Sequence, residues 1–594
     1  MQTICRRSLS VAAFCVFLVA CGATVYAEPC DAPAGARRLH VRDFNAVGDG
    51  KTDDGAAIRA AVKSALEGPK PAAVEFDAGK VYRITSSEDR YALQILDGEK
   101  VTLRGNGAEL SLLPPNKVLH ISNSSDINVC GLTVDYSPLP FTQGLIVGTD
   151  VASGSLDLEI EQGFDVPAVD DNTVLDNSPV WKFARPYKTA PNFENRVWIK
   201  AVHAAPGNRR VRITLGSSAD VPRLIPNRTR LVMAMPGAGQ TGTFAFRILN
   251  SSRVQFHDLR IYAVPQHAFY ISDNDGPVSF TDVEQRIRPG TSRVMTGWRG
   301  VFISKDNRAP IHWERCYVEG AFDDAINLSA TYQLVVEKLD DSRWRLRDLS
   351  ARRESPVYKP GDRLQAIQLG SERKKIGETK VMSVASDDRD LIVTVSPPLP
   401  FRAEADNCSR LGDTQKSCGS RVINLDAATA GSTIRNSTIH GNVRIRSKTT
   451  VENTLLDGFL RITSDPTRVG PLPEDIIIRG SVLRGGNIRL GSDGNRKRKR
   501  KTNQSWNDGE RWVHDIVFEN NRIMSNFRAR GASFALIGNE VVWRKGQKFK
   551  LENSGPVVIR NLSANGQIVS DPISLIRLGG NMTAKDIIIE PGGR

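Results

Sequence analysis

Histidine and cysteine are scarce in this chain, eight of each in 594 residues, and three of the cysteines fall within the first 21 positions. No C-x-x-C pair and no H-E-x-x-H occurs, which argues against a zinc site, and no metal ligand set is assigned. The five later cysteines are Cys30, Cys130, Cys316, Cys408 and Cys418. Cys408 and Cys418 bracket a short Gly- and Ser-containing loop and are the expected disulfide. Cys130 (INVCGLTV) and Cys316 (ERCYVEG) sit in apolar, strand-like settings and read as small core residues. Long apolar runs are missing as well: no segment has 18 apolar residues in a row, so none is expected to span a bilayer as a helix.

What the chain does have begins with a leader. Arg6 and Arg7 precede an apolar run from Val11 to Ala20, the pattern of a secretory signal, assigned to residues 1–27. Val25-Tyr26-Ala27 before Glu28 has the form of a signal-peptidase site, whereas Leu18-Val19-Ala20-Cys21 has that of a lipobox. The expected location is secreted or periplasmic, with a lipoprotein anchored through Cys21 as the alternative. Carboxylates are outnumbered, 66 against 80 Lys and Arg, for a formal charge of +14. Six of the basic residues form one run, Arg496 to Lys501. In an exported chain that run is a solvated loop or a contact for an anionic partner. Nucleic acid is not expected, because export separates the chain from it and no stacking aromatics interleave with the basic residues.

Past the leader, short β-type runs of alternating polarity recur every 20 to 30 residues, separated by Gly, Asn and Asp turns, as in ALQILDGEKVTLRGNGAELSLL and VLHISNSSDINVCGLTVDY. A strand-rich chain repeating at that interval predicts a β-solenoid, with rungs about 4.8 Å apart. Residues 28–141 hold the N-terminal cap and first coils, 244–331 the middle coils and 402–594 the C-terminal coils. Two stretches, 142–243 and 332–401, break the rhythm and read as small antiparallel barrel-like inserts. Val422-Ile423-Asn424-Leu425 repeats Ala325-Ile326-Asn327-Leu328 and is read as the return to the solenoid.

The opening, VRDFNAVGDGKTDDGAAIRAAVKSAL (Val41 to Leu66) followed by AAVEFDAGKVYRIT, resembles that of the pectate lyase superfamily of right-handed parallel β-helices. The resemblance implies an all-β solenoid whose open end is capped by the helix with Ile58, Ala61, Val62 and Ala65 on one face. Thr52 or Asp53 is placed as its N-cap.

Chemistry centres on AFDDAINLSAT, Ala321 to Thr331. Alternation puts Ile326 and Leu328 on one face and Ala325, Asn327 and Ser329 on the other, with Asp323 and Asp324 at the mouth. HAFYIS (His267 to Ser272) and RGVFIS (Arg299 to Ser304) superpose on DAINLS, which predicts that His267, Arg299 and Asp324 stack in one column. Glycosidic hydrolysis needs one protonated carboxyl and one ionised carboxylate, and adjacent like charges push two pKa values apart. Asp306, in the loop after the preceding strand, is a third candidate. Asp pairs are also common at turns, so the doublet alone does not decide. GAFDDAIN, set between two inserts, resembles the exo-acting α-1,3-galactosidases of glycoside hydrolase family 110 and, more distantly, the polygalacturonases of family 28. The catalytic pair of those inverting enzymes maps onto Asp323 and Asp324. Where they carry a third aspartate before the glycine of the preceding strand, this chain has Arg299, which cannot serve as a base at neutral pH.

A second constellation is basic. In VRIR, LRIT, IRLG and FRAR the arginines Arg444, Arg461, Arg489 and Arg528 lie between apolar residues and point outward, with Lys550 and Arg577 extending the series. Asn327 and Asn424 are placed in the same column. Like charges about 5 Å apart repel by roughly 1–3 kcal/mol per pair. A wet surface tolerates that, so the ladder is a solvated face or a track for sulfate or carboxylate groups. Three functions follow. The first is an inverting, Asp-based hydrolase of a galactose-containing or anionic polysaccharide, without cofactor. The second is a uronate lyase using Arg299, His267 and a calcium ion held by the acidic pair. The third is a non-catalytic β-helix that binds acidic glycans.

Overall fold

In the computed structural model, residues 30–167, 183–187, 196–204, 208–235, 244–348, 358–369, 372–387, 390–400, 419–465, 469–492, 505–506, 512–543 and 547–590 are described. Short runs such as IIIR (Ile476–Arg479) and FKLE (Phe549–Glu552) alternate buried and exposed side chains. Alternation of that kind gives each strand one apolar face, and the chain buries it by stacking strand on parallel strand in three columns. The first sheet runs from Arg37–His40 to Ile587–Glu590, the second from Asp49–Asp53 to Ser563–Ala564. The third begins at Tyr91–Leu96 and ends at Ile576–Gly579, passing through His267–Ser272, Phe302–Lys305, Asp324–Thr331 and Asn442–Ile445. The result is a parallel β-helix.

Inside, stacked aromatics fill the middle coils. Phe246, Phe269 and Phe302 stack at 4.6 and 5.0 Å between ring centroids, and Phe256, Phe280 and Trp313 stack beside them at 5.2 and 6.0 Å. The corners pose a different problem, because a turn amide buried there has no strand partner. Small polar side chains on the next coil supply one. The amide of Cys316 donates to Ser437 Oγ (3.0 Å), Ser437 to Thr454 Oγ1 (3.3 Å), Thr454 to Ser481 Oγ (3.1 Å), and Ser481 to Asn521 Oδ1 (2.9 Å). Asn521 in turn donates to Asn539 Oδ1 (2.9 Å).

A helix at Gly55–Glu67 covers the N-terminal coils with Ile58, Ala61, Val62 and Ala65 buried. The N-cap position belongs to Asp54, one residue beyond the two proposed from sequence. Its side chain turns back to accept from the amides of Val47 and Gly48, while Asp53 accepts from the Gly55 and Thr85 amides and the Thr85 hydroxyl.

The cysteine assignments divide. Cys130 is not a plain core residue: it forms a disulfide with Cys30, Cα atoms 5.5 Å apart, which clamps the chain before the first strand to Ser125–Tyr136. Cys316 is buried and free, its thiol pushed up to about 12 by burial. Cys408 and Cys418 lie outside the described residues, as does the basic run 496–501.

Two antiparallel units interrupt the solenoid. The first is a closed barrel of six strands, Phe141–Asp150, Ser155–Ile160, Phe183–Tyr187, Val197–Ala204, Arg210–Leu215 and Arg230–Ala234. The second begins at Gln333–Lys338 and includes Gly419–Asn424, which pairs antiparallel with Arg363–Leu369. Val422 to Asn424 is therefore an insert strand, and the first sheet resumes at Ser432–Arg435. A four-residue alternation looks the same in a barrel as in a coil, which is why its repeat misled.

Asn521 is the test of the corner ladder, since its amide side chain donates to the Ile478 carbonyl (2.7 Å) and accepts from Ser481. Asn521→Ala should cost about 1–3 kcal/mol, read as a lower urea midpoint. Asn521→Ser, which keeps the acceptor used at neighbouring rungs, should cost less. Asp53 gives a pH test: burial works against it, but the bonds from Thr85 and Gly55 bring its carboxyl down to about 2. A lowered pKa stabilises the fold above the ordinary 3.8, and that stabilisation is lost as pH falls toward 2. The stability deficit of Asp53→Asn at pH 7 should therefore vanish near pH 2.

Candidate functional site

The outer face of the third sheet is where the sequence candidates gather, and their positions follow from the pairing of Phe269 with Phe302 and of Phe302 with Ile326. Reading back along those strands puts His267, Gly300 and Asp324 at one position and Gln266, Arg299 and Asp323 at the one before. Backbone bonds agree: Arg299 N donates to Gln266 O (3.0 Å), Ala268 N to Gly300 O (3.2 Å) and Val301 N to Asp324 O (3.0 Å). The expected column of His267, Arg299 and Asp324 is thus corrected by one residue in its middle rung. A β-carbon at Gly300 would lie 2.5 Å from the Asp324 carbonyl oxygen, so the tight approach of these coils requires glycine there. Arg299 faces Asp323 instead, Nη1 to Oδ2 3.9 Å.

The two aspartates occupy unlike surroundings. Asp323 is half exposed. Asp324 is buried, and its carboxylate receives Arg444 Nε (2.9 Å to Oδ1, 2.7 Å to Oδ2) and Asn327 Nδ2 (2.8 Å). Burial raises the Asp324 carboxyl above its ordinary range; Arg444 opposes this, and the Asp323 charge adds to it. Asn327 is fixed from its other side by Arg446, whose Nη1 donates to Asn327 Oδ1 at 2.9 Å. Arg446 is fully buried and was not singled out from the sequence, although it stands two residues after Arg444 and shares its parity. Also missed was a contact on the second sheet one coil on, His440 Nδ1 to Asp457 Oδ2 at 3.0 Å, with Arg484 3.3 Å from the same carboxylate oxygen.

Asp306 is not brought to this pair. It follows the strand that pairs with the far end of Asp324–Thr331, about 20 Å along at the usual rise per residue. There it adopts a left-handed turn conformation and accepts from the Thr331 amide (2.6 Å) and hydroxyl (2.8 Å). Asn424 is likewise elsewhere, buried in the second insert with Nδ2 donating to Asp362 (2.7 Å). His267 lies two coils before Asp324 with its ring stacked on Phe244 at 4.8 Å.

The basic series is in register. Asn327 pairs with Arg444, Arg444 with Arg461, Arg461 with Arg489, Arg489 with Arg528, Arg528 with Lys550 and Lys550 with Arg577. Arg461 and Arg489 both lie over the Phe459 ring, 5.3 and 6.0 Å from its centre. A cavity of about 360 Å³ elsewhere, lined by Glu109, Asp135, Arg288 and Arg293, differs in kind, because its charges pair with one another at 2.6–2.9 Å. Among the described residues, no three His, Cys, Asp or Glu side chains gather to hold a metal ion, and no helix is long and apolar enough to cross a membrane.

Residues 39–122 match the family model described as rhamnogalacturonase A/epimerase, pectate lyase-like. The chain resembles the pectate lyase superfamily of parallel β-helices. It is similar to alpha-1,3-galactosidase B of Akkermansia muciniphila, 22% identical over 248 residues, 41% of this chain and 26% of that relative. The chain thus spans about a quarter of the relative's length. Among solved structures it is similar to the catalytic unit of a GH87 alpha-1,3-glucanase from Streptomyces thermodiastaticus (12% identity, 94% of this chain, 69% of that one, TM-score 0.38). An exopolygalacturonase from Thermotoga maritima is another likeness (10%, 93% and 92%, TM-score 0.33). These likenesses are to carbohydrate-active enzymes.

Arg444 tests the electrostatics. Removing it leaves the Asp324 carboxylate buried without its cation, and Arg444→Ala should cost about 3–5 kcal/mol near neutral pH. Because the native Asp324 carboxyl takes up a proton above the unfolded value of 3.8, lowering the pH into that window relieves the penalty. Urea unfolding at pH 8 and pH 5 should show the smaller deficit at pH 5; equal deficits would refute a charged Asp324 as the cause.

Proposed function

We propose that the protein is a secreted glycoside hydrolase of the inverting type, acting on a galactose-containing or anionic polysaccharide. Asp324 protonates the departing glycosidic oxygen, and Asp323 takes a proton from the water that attacks the anomeric carbon. The observation that carries this reading is the unequal environment of two adjacent carboxyls, one half exposed and one buried. Burial favours the protonated form of Asp324, as a general acid requires, while the half-exposed Asp323 is open to water. The partial similarity to an alpha-1,3-galactosidase supports the same chemistry. Arg299 stands where the resembled families have a third aspartate; beside Asp323 it serves as a substrate ligand or orients that carboxylate.

A uronate lyase is the second reading, favoured by the two guanidiniums that face the acidic pair, since proton abstraction beside a carboxylate needs that charge neutralised. Products separate the two. Hydrolysis gives a new reducing end of inverted configuration by NMR, whereas a lyase gives an unsaturated product with rising ultraviolet absorbance. Asp323→Asn and Asp324→Asn should each lower kcat by about a hundred- to ten-thousandfold with unchanged circular dichroism. The alkaline limb of the pH profile, set by loss of the Asp324 proton, should disappear in Asp324→Asn. Undiminished turnover in either variant would remove the assignment.

A further inference from the structure

The cationic column on the third sheet extends well past the acidic pair, and its composition sets it apart from the rest of the surface. Elsewhere arginines are matched to carboxylates coil by coil, as in Arg253 with Asp126, Arg315 with Asp282 and Arg479 with Glu452. In the column itself the matching stops, while two residues along the same strands Arg530 still meets Glu552 at 3.9 Å. Arg444 is spent on Asp324, but no carboxylate pairs with Arg489, Arg528, Lys550 or Arg577 among the described residues. Arg489, Lys550 and Arg577 are exposed, and Arg528 is half-buried. The neighbouring position on one side carries Asn487 and Asn526, amide side chains that donate hydrogen bonds without adding negative charge. Parallel pairing forces these cations into line about one rung, 4.8 Å, apart. Water tolerates unmatched like charges at that spacing, and an anion seated among them would relieve their repulsion.

We infer that this column is a track for the sulfate groups of a sulfated polysaccharide lying along the helix axis, with one end at the acidic pair. A glycan extended along the axis runs parallel to the column, so that its substituents can meet more than one cation. Sulfate is favoured over carboxylate because its three free oxygens diverge and can take donors from two adjacent rungs, whereas a carboxylate's two oxygens lie in one plane. Phe459 offers its ring to both Arg461 and Arg489, 5.3 and 6.0 Å from its centre, which draws the two side chains to one spot on the wall. The inference deepens the hydrolase reading by naming its substrate class, and it rests on that reading only for the polarity of the bound chain.

The test uses the full chain with three probes: a sulfated galactan, the same galactan chemically desulfated, and polygalacturonate. Asp323→Asn should bind the sulfated galactan as the parent does, with affinity falling steeply as salt rises. Replacing Arg489, Lys550 and Arg577 together by Ala should weaken that binding at least tenfold and flatten its salt dependence, with the circular dichroism of the parent. Arg528→Lys, which keeps the charge and loses the fork, should weaken it less. Unchanged binding in the triple variant overturns the track, and polygalacturonate bound as tightly as the sulfated galactan overturns the choice of sulfate. Turnover is read separately: binding intact with no cleavage of any probe by the parent sinks the hydrolase and leaves the track standing. Cleavage with binding indifferent to the triple substitution does the reverse.

Discussion

Register is the constraint on which this protein depends. In a parallel β-helix each coil lies on the last at one rung spacing, so a residue's neighbours across the sheet are decided by how many residues the intervening turn consumes. At the acidic pair that count is enforced by contact, because the coil carrying Gly300 approaches the Asp324 carbonyl too closely for any β-carbon. A turn one residue longer or shorter would bring Arg299 into line with Asp324 or carry it past Asp323. The whole chemistry of the mouth would change with no substitution in the aspartates themselves.

Burial then separates what sequence makes equal. Asp323 and Asp324 are the same residue type one position apart, yet one meets solvent and the other is enclosed by Arg444, Asn327 and, behind them, Arg446. An enclosed charge pair of this kind gives little net stability, since desolvation offsets most of the attraction. It does fix geometry, and the chain Arg446, Asn327, Asp324, Arg444 ties four residues on two coils together.

The arginine ladder was legible from sequence because it needs only parity: an arginine between two apolar residues points outward whatever the exact register, and repeats of the pattern must stack. The cap and the coils were legible for the same reason, each set by a local period. What failed required knowing where one coil meets another. Arg299 was misplaced by a single residue, Asp306 was given a reach that its turn at the far strand end denies it, and Asn424 was read as a coil residue from four letters that suit a barrel equally well. Cys130 looked apolar and local, while its partner stands 100 residues earlier. Non-local pairing leaves no local trace.

Arg444 joins the two constellations. It is the first rung of the ladder by register and the counter-ion of Asp324 by contact. One guanidinium has a limited set of donors, and those turned to Asp324 are not available to an anion. Arg444 and Arg446 are the cations that oppose the effect of burial on the Asp324 proton, so the acid and the ladder meet in one guanidinium, that of Arg444.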